Sequence, residues 1–183
     1  MYSLGIDLGN KSRTSLVLMK DYTLIDWSRL NYFDSINPWD HRKKIVNQIE
    51  EYIKTYKLTK NDYILFEQIF FSKGLSRLAN ITSIAFLQAT IINEFSDKIN
   101  ICEVHVQSWK SKVLGSRSAT KEDAVNFVKQ NYPEIDLNIE IKHKRKESEI
   151  IIDNDTADAV CIALFPNYDT KDYIRKHLVN YTW

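Results

Sequence analysis

Four carboxylates stand where the rest of the sequence asks for burial. Asp7 follows the strand-like stretch Ser3-Leu4-Gly5-Ile6, Glu67 closes the apolar run from Tyr63 to Phe66, and Asp155 and Asp158 enter an apolar helical stretch reaching Phe165. A carboxylate removed from water costs several kcal/mol unless something positive compensates it. The same arrangement at three separate places points to a shared metal site. The interval from Asp155 to Asp158 puts both acids on one helical face. One acid on an early strand, one on a later strand and a helical pair near the C-terminus can then converge. Each has a plainer reading alone: Asp7 before Gly9 suits a turn, and acids are favoured in the first turn of any helix.

The chain has 183 residues, 44% of them hydrophobic, enough for one substantial core and one domain, 1–183. Lys and Arg number 25 against 24 for Asp and Glu, so net charge neither demands nor excludes a nucleic-acid partner and local clustering decides. No apolar run is long enough to span a bilayer, and the N-terminus lacks the order of a signal peptide. A soluble, cytoplasmic protein is expected. Cys102 and Cys161 lie in apolar segments and read as buried free thiols in a reducing compartment. The four histidines lack metal-ligand spacing, which argues against zinc.

Residues 2–8 and 14–20 read as strands joined by a polar turn, Gly9-Asn10-Lys11-Ser12, with a third strand over 24–32. From Asp40 to Tyr56 the period changes: Ile45, Ile49, Tyr52, Ile53 and Tyr56 recur at helical spacing. Tyr63 to Glu67 suits a buried strand. A long helix follows from Lys73 to Phe95, apolar on nearly every side in its second half, so either central or shared with a partner subunit. Asn100 to Val106 is a further strand. Thr120 with Asp123 resembles a capping box opening a helix that stops before Pro133. Helices are also expected over 155–165 and 169–178. The stretch from Glu134 to Glu149, with Lys142, His143, Lys144, Arg145 and Lys146, reads as a mobile basic loop. Early strands followed by alternating strands and helices indicate an α/β sheet covered by helices.

Gly5-Ile6-Asp7-Leu8-Gly9, Phe66-Glu67-Gln68-Ile69-Phe70, Lys110 with Gly115 and Lys121, and Asp155-Thr156-Ala157-Asp158-Ala159 together resemble the RuvC family of Holliday-junction resolvases in the RNase H-like superfamily. The resemblance runs from residue 3 to about 165. It implies a mixed sheet flanked by helices, with magnesium held by Asp7, Glu67, Asp155 and Asp158. Two ions per site are expected, with manganese as a substitute. Such an ion pair, about 3.5–4 Å apart, activates water and stabilises the leaving oxygen at phosphorus. Lys110 and Lys121 match the family's active-site lysines, and Phe70 an aromatic that contacts bases near the junction. The pattern Asp-x-x-Asp-Ala favours Asp155 over Asp153 as ligand, leaving Asp153 as a helix N-terminal charge. Lys73, Arg77, Arg117, Lys142, Lys144, Arg145 and Lys146 are candidate phosphate contacts, although charge runs are more often solvated faces. Trp27, Trp39, Trp109 and Trp183 carry no separate signature.

Around the first acid, Asp7-Leu8-Gly9-Asn10-Lys11-Ser12-Arg13-Thr14 is nearer to poxvirus-type resolvases than to bacterial members, and the long helix lacks glycines. Both departures suggest a divergent phage or viral branch, acting inside the host cell. The expectation is a magnesium-dependent endonuclease that resolves four-way junctions and other branched DNA as a homodimer. The alternatives are an RNase H-like nuclease acting on RNA, and a non-catalytic protein that binds branched DNA. A YqgF-type relative would usually show Thr-Thr after the second acid, and an actin-like ATP-binding fold would need a second domain.

Overall fold

Alternation in the first strand sets the layering. In β1 (Tyr2–Asp7), Leu4 and Ile6 point to one side of the sheet and Ser3, Gly5 and Asp7 to the other. In β2 (Arg13–Lys20), Leu16 and Leu18 join the first side and Val17 and Met19 the second. The computed structural model describes residues 1–9, 13–31, 37–69, 75–141, 148–168 and 170–179, with backbone alone for 75–80 and 141.

β1 pairs antiparallel with β2, which pairs antiparallel with β3 (Thr23–Asn31). On its other edge β1 runs parallel to β4 (Tyr63–Glu67), and β4 parallel to β5 (Asn100–Val104). The result is a mixed five-stranded sheet in the order β3-β2-β1-β4-β5. Long helices cover the Leu4 and Ile6 face. α1 (Pro38–Tyr56) begins at Asn37, whose side chain accepts from the Trp39 and Asp40 amides, and it buries Ile45, Ile49 and Tyr52 as the periodicity requires. α2 (Leu75–Phe95) adds Leu87, Ile91 and Phe95 to the same core. The opposite core takes side chains from α3 (Val106–Val113), α4 (Lys121–Asn131), α5 (Asn154–Leu164) and α6 (Lys171–His177). The Thr120–Asp123 capping box is present at the start of α4. Cys102 and Cys161 are buried free thiols.

Two expectations change. Part of the stretch 134–149, read as a loop, is strand: β6 (Asn138–Ile141) and β7 (Glu149–Ile152) pair antiparallel, with Ile139 opposite Ile151. Its isoleucines favour extended backbone over loop. The basic residues 142–147 lie outside the described residues. α3 also appears where no helix was expected. It is only eight residues long and is capped by His105, whose Nδ1 accepts from the Gln107 amide at 3.1 Å, an uncommon cap.

Helix α5 is seated by two devices. First, β1 presents almost no side chain to it. An added Cβ at Gly5 would lie 2.8 Å from Ala163 Cβ and closer still to the Ala159 carbonyl oxygen and the Ala163 amide nitrogen, while Ser3 Oγ donates to the Ala163 carbonyl at 2.6 Å. Second, the fully buried Asp153 is the N-cap. It accepts from the Thr156 amide at 3.2 Å and from the Thr156 hydroxyl, and it is ion-paired to Arg29 of β3. Thr156 Oγ1 also lies 2.9 Å from Ser15 Oγ on β2.

Gly5→Ala is therefore expected to destabilise by about 1–3 kcal/mol or more, lowering the melting temperature by roughly 5–10 °C, because helix backbone cannot yield as a flexible side chain can. Asp153→Ala leaves a mostly buried guanidinium without its carboxylate and is expected to cost about 3–5 kcal/mol. Denaturant unfolding of both variants checks this. Wild-type midpoints would show that α5 is not held at these points.

Candidate active site

Parallel pairing of β1 with β4, in register Ile6 to Phe66, brings Asp7 and Glu67 out together at the carboxyl edge of adjacent strands. Two-residue alternation from Gly5 and from Leu65 turns both toward the α5 side of the sheet. Because Ala159 and Ala163 of α5 lie against Gly5, the first turns of that helix carry Asp155 and Asp158 over the same edge. The acids read from sequence as one site are thus brought together by the fold.

Their electrostatics record the convergence. Burial pushes the Asp7 carboxyl well above its ordinary range, and the charges of Asp158, Asp155 and Glu67 push it further, against the pull of Lys121. Asp158 rises to about 6, mainly by burial; Lys121 and Lys110 oppose the shift, while Glu67 and Asp155 add to it. Glu67 is raised by burial, partly offset by a hydrogen bond from Trp109 and by Lys110, His105 and Lys121. Asp155 is raised by burial and by Asp153, and restrained by Arg13 at 3.7 Å and by Lys121. Four acids thus press on one another beside two lysines, an arrangement that gains from any added cation.

The donor set fits a hard divalent cation, because all four candidate ligands are carboxylate oxygens and no thiol or imidazole is among them. Among the described residues, no three His, Cys, Asp or Glu side chains are already drawn into a metal-holding group. The fit therefore rests on donor chemistry and on uncompensated negative charge.

Lys110 lies on α3 and Lys121 opens α4, with Gly115 in left-handed backbone, φ 76°, between them. The Lys110 ammonium donates to the Ala119 carbonyl at 2.7 Å, tying α3 to the turn before Lys121. Arg117 is exposed on the α3–α4 connection, away from any described ion pair. Phe70, Lys73, Lys142, Lys144, Arg145 and Lys146 lie outside the described residues, as does the side chain of Arg77.

Three participants escaped the sequence reading. Trp109, fully buried, donates its indole N–H to Glu67 Oε2 at 3.4 Å. Gln88, buried on α2, donates to the Glu67 carbonyl at 2.9 Å and fixes the end of β4. Arg13 pairs with Asp155. For Gln88 a signal existed, a lone amide in an otherwise apolar stretch. Arg13 and Trp109 offered none, since their partners lie far along the chain.

No protein-family model matches this sequence, and no curated protein matches it either. Solved structures do resemble it. Thermus thermophilus RuvC superposes with a TM-score of 0.59 at 15% identity, covering 90% of this chain and 92% of that one. T. thermophilus RuvC in complex with a Holliday junction substrate superposes with a TM-score of 0.65, again at 15% identity, covering 95% and 97%. With its mixed five-stranded sheet, its flanking helices and acids at the carboxyl ends of β1 and β4, the chain has a RuvC-like fold.

Proposed function

We propose that this protein is a divalent-metal-dependent endonuclease that hydrolyses phosphodiester bonds in branched DNA, four-way junctions foremost. The observation carrying this reading is the meeting of Asp7, Glu67, Asp155 and Asp158 beside Lys110 and Lys121, on a fold whose solved neighbours include RuvC bound to a junction. The four carboxylates would hold the metal, with magnesium favoured and manganese a substitute. Bound divalent ions supply activation of a water and neutralisation of charge on the phosphate. Trp109 and Gln88 keep Glu67 in place, Arg13 restrains Asp155, and the two lysines face the charge that grows on the phosphoryl oxygens during attack. Phe70 is proposed to meet bases at the branch. Lys73, Arg77, Arg117 and the basic residues from Lys142 to Lys146 are proposed to meet phosphates.

A homodimer belongs to the same reading, because two opposed strands must be cut and a two-fold substrate suits a two-fold enzyme. On α2, Phe86 is half exposed and stacks edge-on with the exposed Trp39 of α1, consistent with that helix meeting a partner subunit.

Asp7→Asn, Glu67→Gln and Asp158→Asn are each expected to abolish cleavage of a synthetic four-way junction while leaving junction binding intact or tighter. Gel-based cleavage with and without magnesium, beside equilibrium binding in EDTA, checks this, and cutting at the wild-type rate would sink the assignment. Asp7→Asn carries a second expectation. A carboxyl whose folded pKa is raised destabilises the fold at every pH where it is ionised, so the neutral amide should melt higher than wild type in EDTA at neutral pH. Sedimentation at micromolar concentration tests the dimer, and a monomer would refute it.

A further inference from the structure

A cavity of about 680 Å³ opens between α3 and α6, lined by a face of α3 that carries neither Trp109 nor Lys110. Lys112 follows Lys110 by two positions, about 200° around a helix, so the lysines project to opposite sides. Ser108, Ser111 and Lys112 share one face of α3 by their i, i+3 and i+4 spacing, and all three line the cavity. Arg117 and Lys171 line it too, and Lys112, Arg117 and Lys171 have no ion-pair or hydrogen-bond partner among the described residues. The lining's carboxylate, Asp172, is paired with Arg175 at 3.0 Å. Tyr173 forms one wall, its oxygen accepting from the His105 amide at 2.7 Å. Ser108 already hydrogen-bonds the Tyr173 oxygen and Thr170 donates to the Phe165 carbonyl, so the lining offers three uncommitted cations and the Ser111 hydroxyl around a half-open space, a surface suited to an oxyanion.

We propose that this cavity is a phosphate subsite for the DNA backbone, gripping the strand at a point removed from the bond that is cut. The assignment rests on the nuclease reading above and adds to it where the strand runs. A helix with its side chains is about 10–12 Å across, and successive phosphates of one strand are further apart than their roughly 3.4 Å axial rise, so the gripped phosphate lies within about three nucleotides of the scissile one. Lys112, Arg117 and Lys171 would neutralise it, and Ser111 would donate to one of its free oxygens. An anchor there would fix the register of the strand without reading its sequence.

Four-way junctions carrying a single uncharged methylphosphonate, placed at successive positions on either side of the cleaved bond, test this against wild type and the Lys112→Gln/Lys171→Gln variant. Both lysines are exposed, so the variant should melt with wild type. Wild type is expected to lose roughly tenfold in affinity at one position within about three nucleotides of the cut. The variant, weaker by a similar factor on the unmodified junction, should show no further loss at that position. Equal losses for both proteins at every position, or none for wild type, would overturn the subsite while leaving the nuclease reading intact. A wild-type protein that neither binds nor cuts the unmodified junction would overturn that reading and the subsite with it.

Discussion

At Gly5 the sheet meets helix α5 backbone to backbone. Gly5 lets α5 lie directly on β1, with Ala159 and Ala163 filling the space a larger residue would take. Most other features depend on that contact. It seats the helix that forms the centre of the second core, where Ala157, Val160, Cys161, Ile162 and Leu164 are fully buried. It also sets the height of Asp155 and Asp158 above the sheet, and so their separation from Asp7. The face of β1 toward α5 reads Ser3, Gly5, Asp7: a hydrogen bond, a bare backbone and a candidate metal ligand. Stability and chemistry share one strand face and alternate with Leu4 and Ile6, which belong to the other core.

Such a seat must hold against repulsion. Four carboxylates with raised proton affinity lie at the end of β1, and the lysine and arginine charges that oppose them, Lys110, Lys121 and Arg13, are fewer. The nearby Asp153 is different in kind. It sits two residues before Asp155, yet it is fully buried, caps α5 and is ion-paired to Arg29, so its charge is spent on structure. Along the α5 entry, the buried acid with an arginine and a helix amide is a fastener, Asp155 is partly exposed beside Arg13, and Asp158 faces other acids and is open to a ligand. Environment separates these roles where residue type cannot.

This separation also marks what the sequence could and could not reveal. Periodicity found α1 through Ile45, Ile49 and Tyr52, and the apolar runs found β1, β2 and β4, because those signals are local. The acids were legible for the same reason: each interrupts a local apolar pattern. Long-range partners were not legible. Trp109 reaches Glu67 across 42 residues of chain and Arg29 reaches Asp153 across 124, and no local pattern announces either. The β6–β7 hairpin was missed because a dense basic run between its strands outweighed the isoleucines on either side. Helix α3 was missed because a histidine cap does not stand out from an ordinary histidine.

Charge distribution supplies the remaining constraint on how the proposed nuclease would meet DNA. With 25 basic and 24 acidic residues, it has almost no net field to draw a polyanion from a distance. At physiological salt, exposed charges further apart than about 8–10 Å hardly act on one another, so attraction must come from local groups. The acids are gathered at one edge of the sheet, where a phosphate is repelled until the carboxylates are neutralised. Lys110 and Lys121 border that edge, and Lys112, Arg117 and Lys171 stand behind it across α3. A DNA strand would then be held by its flanks and repelled at its centre, so that only neutralising cations let the scissile phosphate settle among the acids. On this layout the proposed binding and cutting would use separate groups, and loss of a central acid would remove repulsion along with chemistry.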